Sequence, residues 1–242
     1  MPNNRKSVKY CIFILLFGLI VFSLFVNAND KENQLLKEWR ESRVKETKEG
    51  WYFPFEEDAD SNRFPDEWSR PKNYKLEDGK TLAYASWAEI KLDSKIKKAG
   101  RNSLFILSQG AQPIGLETGV FQIDNFVAYE LSGWFNIDPE TSSNTKVIFG
   151  VNWFDSDMKQ IPARTEDDFT VFHTSGWELK KQRINNLDPK AQFAKLYFRV
   201  EGVDSDAKIW IDEVRFNKRP LIIINTDQFL NIFNQKDRKS VV

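Results

Sequence analysis

One cysteine and one histidine are all that 242 residues hold of these two types. A lone Cys rules out an intramolecular disulfide. A lone His rules out multi-histidine metal sites and His–His proton relays. No glycine-rich phosphate loop, no G-x-S-x-G and no H-E-x-x-H occurs. Charge of one sign is also missing: Lys and Arg total 35, Asp and Glu total 35, and the formal net charge is zero. A protein built to coat nucleic acid needs a positive surplus, so that class is excluded. Whole-molecule steering toward an anionic surface is absent too. What the chain does have is aromatics, with 20 Phe, 8 Trp and 6 Tyr. Its length is enough to bury a core without disulfides.

The amino terminus reads as an export signal or an anchor. Arg5, Lys6 and Lys9 precede an apolar run over residues 10–26. The run is long for a signal peptide and at the short limit for a bilayer span. Val26-Asn27-Ala28 offers a signal-peptidase-like spacing. Both readings, cleaved signal and uncleaved anchor over 1–28, place the rest of the chain outside the cytoplasm. The protein is thus expected to be secreted, periplasmic or membrane-anchored. Cys11 stands at the start of the apolar run rather than after it, the wrong order for a lipoprotein cleavage site.

Residues 29–49 are dense in both charges and lack Gly and Pro until residue 50. They are expected to form a short charged helix, with Leu35, Leu36, Trp39 and Val44 as a thin apolar stripe. The stripe is too short for a coiled coil, so the segment reads as a spacer.

From residue 50 the texture changes to short aromatic and β-branched runs separated by turn clusters. Strands are expected over 51–55, 82–90, 104–108, 119–123, 126–137, 146–155, 169–172, 177–184, 192–202, 208–216 and 221–224. No strong helix intervenes, which argues against a parallel βαβ fold. In residues 194–201 one face reads Ala, Leu, Phe, Val and the other Lys, Tyr, Arg, Glu. That is a half-buried antiparallel strand with one polar or ligand-facing side.

Several ordered pieces carry a resemblance. They are Pro54-Phe55-Glu56-Glu57, Phe64-Pro65-Asp66-Glu67-Trp68-Ser69, Ala99-Gly100-Arg101-Asn102-Ser103-Leu104 and Tyr129-Glu130-Leu131-Ser132-Gly133-Trp134. Then follow Val151-Asn152-Trp153-Phe154-Asp155-Ser156-Asp157, Gly176-Trp177, Val200-Glu201-Gly202 and Ile209-Trp210-Ile211-Asp212-Glu213-Val214. Over residues 50–216 this set resembles carbohydrate-binding modules of the family 4/9/22 type, the galactose-binding-like jelly roll. The resemblance implies an all-β jelly-roll β-sandwich over residues 50–218. Residues 219–242 are then a C-terminal extension or the start of a second domain. Trp68, Trp134, Trp177 and Trp210 fall in the framework pieces and are read as core. Met158 stands where many relatives place Gly.

The resemblance also implies sites. A structural Ca²⁺ would take carboxylates from Glu56 and Asp212, with backbone oxygens from the 99–102 loop. The bland alternative is that both acids cap turns or pair with cations. A sugar ring wants an exposed aromatic platform beside polar groups. Trp87 is the first platform candidate, followed by Trp153 with Asn152 and Tyr197 with Arg199. The expected function is non-catalytic binding of polysaccharide, targeting a surface or a catalytic partner protein to glycan. Membrane attachment would run through the N-terminal segment.

Two alternatives stay open: a structural or protein-interaction jelly roll with no sugar site, and a β-sandwich glycosidase. The second is weakly motivated. His173 has no motif partners, and the acids at Asp155/Asp157, Glu166/Asp167/Asp168 and Asp204/Asp206 read as turn formers or cation ligands.

Overall fold

The strand around Tyr197 fixes the geometry of the rest. Its alternating pattern buries Ala194, Leu196, Phe198 and Val200 and leaves Tyr197, Arg199 and Glu201 on the other side. A face with four apolar residues must find a second apolar face, and the remaining strands supply it.

The computed structural model describes residues 46–71, 73–75, 81–84, 88–108, 112–140, 144–185, 187–202 and 207–219. The expected signal or anchor, the spacer up to residue 45, Trp87 and the extension beyond 219 lie outside the described residues. Among the described residues there is no helix. The strands are β1 (Glu46–Thr47), β2 (Gly50–Phe53), β3 (Trp68–Ser69), β4 (Asn73–Lys75), β5 (Thr81–Ala83), β6 (Glu89–Asp93), β7 (Ser103–Ser108) and β8 (Ile114–Thr118). They continue with β9 (Phe121–Gln122), β10 (Ala128–Ile137), β11 (Lys146–Phe154), β12 (Asp168–Val171), β13 (Glu178–Ile184), β14 (Phe193–Glu201) and β15 (Ala207–Arg219).

All pairings are antiparallel. The first sheet runs β1-β2-β15-β10-β13, with β7 also on β15 and β6 on β7. The second runs β12-β11-β14-β8-β3, with β9 also on β14. A two-stranded ribbon, β4-β5, stands apart. The long strand β15 takes β7 along residues 207–211 and β2 along 214–217 of the same edge. The chain is therefore the expected all-β sandwich of jelly-roll type. Strand β1 corrects one boundary. Residues 46–49, expected at the end of the charged helix, form a hairpin that adds Glu46 and Thr47 to the sheet edge.

The core lies between the inner faces. β10 and β15 contribute Tyr129, Leu131, Phe135, Ile209, Ile211, Val214 and Phe216; β11 and β14 answer with Val147, Phe149, Val151, Trp153, Leu196 and Phe198. The rings interlock: Phe149 stacks on Phe198 at 4.3 Å, and Tyr129 on Phe216 at 4.5 Å. The Tyr129 hydroxyl is not orphaned, since it donates to the Asp124 carbonyl at 2.9 Å and accepts from the Asp124 N–H at 2.8 Å.

Trp68 is core as expected, stacked on Phe198 at 4.9 Å. The other framework tryptophans are not. Trp210 is buried on the outer face of the first sheet, against Phe105, with its Nε1–H donating to Asp93 at 2.9 Å. Trp134 and Trp177 are half-buried. The reason is parity: Trp134 precedes the core residue Phe135 and Trp210 precedes the core residue Ile211, so both point outward.

Met158 adopts φ +56°, a left-handed backbone that favours glycine. The cost of about 1 kcal/mol is offset by burial of its side chain with Val120, Phe154 and Phe193.

Candidate functional site: the outer face of the second sheet

The register of the second sheet brings scattered residues into rows. One row crosses five strands as Asp168, Gly150, Tyr197, Glu117 and Ser69. The next holds Thr170, Ile148, Arg199 and Gly115. Asn152 lies opposite Lys195 on the far side of the first row. These side chains all leave the sheet on the face away from the core.

Two glycines shape this face. A Cβ at Gly150 would sit 2.6 Å from the Tyr197 hydroxyl oxygen, 2.7 Å from its Cζ and 2.5 Å from the Asp168 Cβ. A Cβ at Gly115 would sit 2.4 Å from Tyr84 Cε1 and 2.7 Å from Pro71 Cγ. Both tyrosine rings thus lie down on the sheet at points where the sequence has removed the side chain beneath them. Both rings stay half-buried rather than lost to the core.

The polar groups around the rings are held. The Tyr197 hydroxyl donates to Asp168 Oδ2 at 2.8 Å. Lys195 Nζ reaches Glu117 at 3.3 Å. Lys146 Nζ lies 2.9 Å from Glu201, and Arg199 Nε lies 2.6 Å from the same carboxylate. The Arg199 contact is close but off the hydrogen-bond line, so it is an ion pair rather than an aligned bond. Gln160 donates to Asn152 Oδ1 at 3.2 Å.

Burial pushes the Tyr84 phenol up to about 12, with Glu117 and Glu201 adding to the rise and Arg199 opposing it. Burial first, and then Asp168, pushes Tyr197 up as well. Both hydroxyls are protonated donors at any physiological pH.

The face therefore joins three of the expected residues, Asn152, Tyr197 and Arg199. Trp153 is a correction. It is 2% exposed and packs in the core near Tyr129 and Phe216. Neighbouring residues of a strand point to opposite faces, so Trp153 and Asn152 never face one ligand together. Trp87 lies outside the described residues. The face also holds Tyr84, Glu117 and the two glycines, which the sequence reading missed, and Asp168, which it took for a turn former or cation ligand. The signal for Glu117 and Asp168 was strand parity, once β8 and β12 are paired.

The expected calcium residues lie elsewhere, on the first sheet. Asp212 is fully buried, and its Oδ2 accepts from the N–H groups of Lys98 (2.8 Å) and Ala99 (3.0 Å). Glu56 accepts from the Arg101 N–H at 2.8 and 2.9 Å, and from Asn102 at 3.3 Å. The loop does reach both acids, yet it offers them N–H donors instead of the expected carbonyl oxygens. This donor set does not fit a hard cation, which requires oxygen on every side.

Other acids among the described residues serve turns, while Asp204 and Asp206 lie outside the described residues. Asp58, Asp60 and Asp66 have carboxylate oxygens within 4.8 Å of one another. Each accepts a backbone N–H, from Arg63, Asn62 and Ala59 respectively. Asp155 accepts from Asp157 and Lys159. His173 is exposed.

No family model matches the chain, and no curated protein matches it. Solved structures of similar shape exist. One is the CBM22-1 xylan-binding domain of Paenibacillus barcinonensis Xyn10C, at 12% identity and TM-score 0.45, over 71% of this chain and 94% of that one. Another is the C-terminal family 22 carbohydrate-binding module of Clostridium thermocellum Xyn10B, at 16% identity and TM-score 0.46, over 72% and 97%. A third is the enzymatically active domain of bacteriophage CBA120 tailspike protein 4, at 9% identity and TM-score 0.47. The match covers 64% of this chain but only a fifth of the tailspike, 20% of its length.

Proposed function

We propose that the domain is a non-catalytic glycan-binding module and that the outer face of the second sheet is its binding site. The observation that carries this reading is the pair of tyrosine rings laid over Gly115 and Gly150 amid fixed hydroxyl, carboxylate and amide groups. A pyranose has an apolar face of C–H groups and a rim of hydroxyls. Flat rings receive the first, and Asn152, Asp168, Glu117 and Arg199 receive the second.

The carboxylates of this face are engaged by Tyr197, Lys195, Lys146 and Arg199. They act as hydrogen-bond acceptors and as anchors for those side chains. With Lys146, Lys195 and Arg199 each beside an acid, the face suits a neutral polysaccharide. The basic residues Arg5, Lys6 and Lys9 before the apolar run support a domain held outside the cytoplasm. There it would bring its own surface, or a catalytic partner, to the glycan.

The test is affinity electrophoresis of the full chain, in mild detergent, through gels containing neutral polysaccharides. Xylan belongs on the panel because similar-shaped domains are named for it. Retardation that disappears in Tyr197→Ala, with unchanged melting, supports the site. Retardation left intact in both Tyr197→Ala and Tyr84→Ala removes it. Absence of retardation across a broad panel favours a protein-interaction role instead.

A further inference from the structure

We infer that the loop around Gly100 is a metal-free clasp, in which the chain supplies from its own backbone and Lys97 the charges that a bound cation would otherwise bring. The clasp closes the place where the second and last strands of the sheet meet, since β2 pairs with β15 and Glu56 follows β2 by three residues.

The argument rests on which way the peptide groups point. Four N–H groups of the loop, at residues 98, 99, 101 and 102, face inward onto Asp212 and Glu56. A fifth, from Glu213, reaches Asp212 Oδ1 at 2.8 Å. N–H dipoles present their positive ends, so they satisfy a carboxylate and repel a cation. Three of the carbonyl oxygens are used elsewhere. Lys97 Nζ donates to the carbonyls of Ser94 at 3.0 Å and Arg101 at 3.1 Å. The Ser103 hydroxyl donates to the Ile96 carbonyl at 2.6 Å. The loop is thus opposite in polarity to a calcium cage: its N–H groups face the acids, and three of its carbonyls face an ammonium and a hydroxyl.

Two backbone features hold that polarity. Gly100 has φ +58°, and a Cβ there would lie 2.0 Å from Glu56 Oε1. Only glycine lets the carboxylate approach the turn so closely. On the other strand, the pairing of β10 with β15 slips between Ser132 and Trp134, and Glu213 takes φ +51°. The bulge aims Asp212 out of the sheet toward the loop, which then covers it completely. Burial pushes the Asp212 carboxyl up, and its three N–H bonds pull against that rise.

The deciding experiment compares thermal melting of the full chain, in mild detergent, in EDTA and in excess CaCl₂, with elemental analysis of the purified protein. The clasp predicts no stoichiometric metal and the same melting temperature in both buffers. About one equivalent of calcium, or a fall of several degrees on chelation, overturns it. Asp212→Asn replaces a carboxylate by an amide with one acceptor oxygen. It is expected to melt roughly 5 °C lower by the same amount in EDTA and in calcium. Wild type and variant that coincide in EDTA but separate in calcium also overturn the clasp. If Asp212→Asn fails to fold, the wild-type comparison still decides.

Discussion

The two outer faces of the sandwich carry aromatic rings in opposite ways. On the outer face of the first sheet, rings lie under cations: Phe105 under Lys91 at 5.3 Å, Trp134 under Lys98 at 3.9 Å and Tyr52 under Arg215 at 4.2 Å. There a long aliphatic stem and a charged head lie over apolar surface that the fold leaves outside its core. On the second sheet, Tyr84 and Tyr197 are laid down over glycines, and neighbouring cations pair with acids. Aromatic content alone says nothing about binding; what lies above and below each ring does.

That contrast can be broken or sharpened by substitution. The largest effect belongs to neither face. Trp153→Ala, once a candidate platform, removes a core ring and should cost about 3–5 kcal/mol, read as a fall in denaturation midpoint. A variant that melts like wild type but loses glycan would return Trp153 to the site. Next comes Tyr197→Ala, expected to weaken glycan binding on the order of tenfold, a loss of about 1.4 kcal/mol, by titration calorimetry. Gly150→Ala should weaken binding by a smaller factor, roughly threefold, because the added Cβ lifts Tyr197 off its seat. In the Tyr197→Ala background the same change should add nothing further.

An alkaline limit follows from the phenols. Tyr84 is raised to about 12 in the fold against an ordinary value of about 10. Above pH 10 the unfolded chain loses that proton first, so stability falls as pH rises. The contribution is whole below pH 10 and lost as pH passes about 12. Absorbance titration at 295 nm with parallel melting curves checks it. The smallest effect is Trp134→Ala on the first sheet, which should leave glycan retention unchanged and cost about 1 kcal/mol or less.

The sequence carried the strand texture and, in β14, the side of the sheet on which Tyr197 and Arg199 stand. The same parity in β11 groups Trp153 with Val147, Phe149 and Val151, and it conflicts with a shared ligand face for Asn152 and Trp153. Strand β8 is harder to see. It is five residues long, follows Gln112-Pro113 and contains Gly115, all of which read as turn. Tyr84 follows a strand of three residues, and only the pairing of β8 shows what it rests on. The direction of the N–H groups at residues 98–102 depends on backbone dihedrals at Gly100 and Glu213, which composition does not record.

The ion pair between Glu46 and Lys218 has a mechanical consequence. It puts the chain's entry at β1 and its exit at β15 on one corner of the sandwich, where Gly50 pairs with Asn217. Tension between the flanking segments would peel β1 and then β2 away one pair at a time, rather than shearing all their hydrogen bonds together. A load carried through both segments would yield there first, far from Tyr197 in sequence and on the opposite sheet.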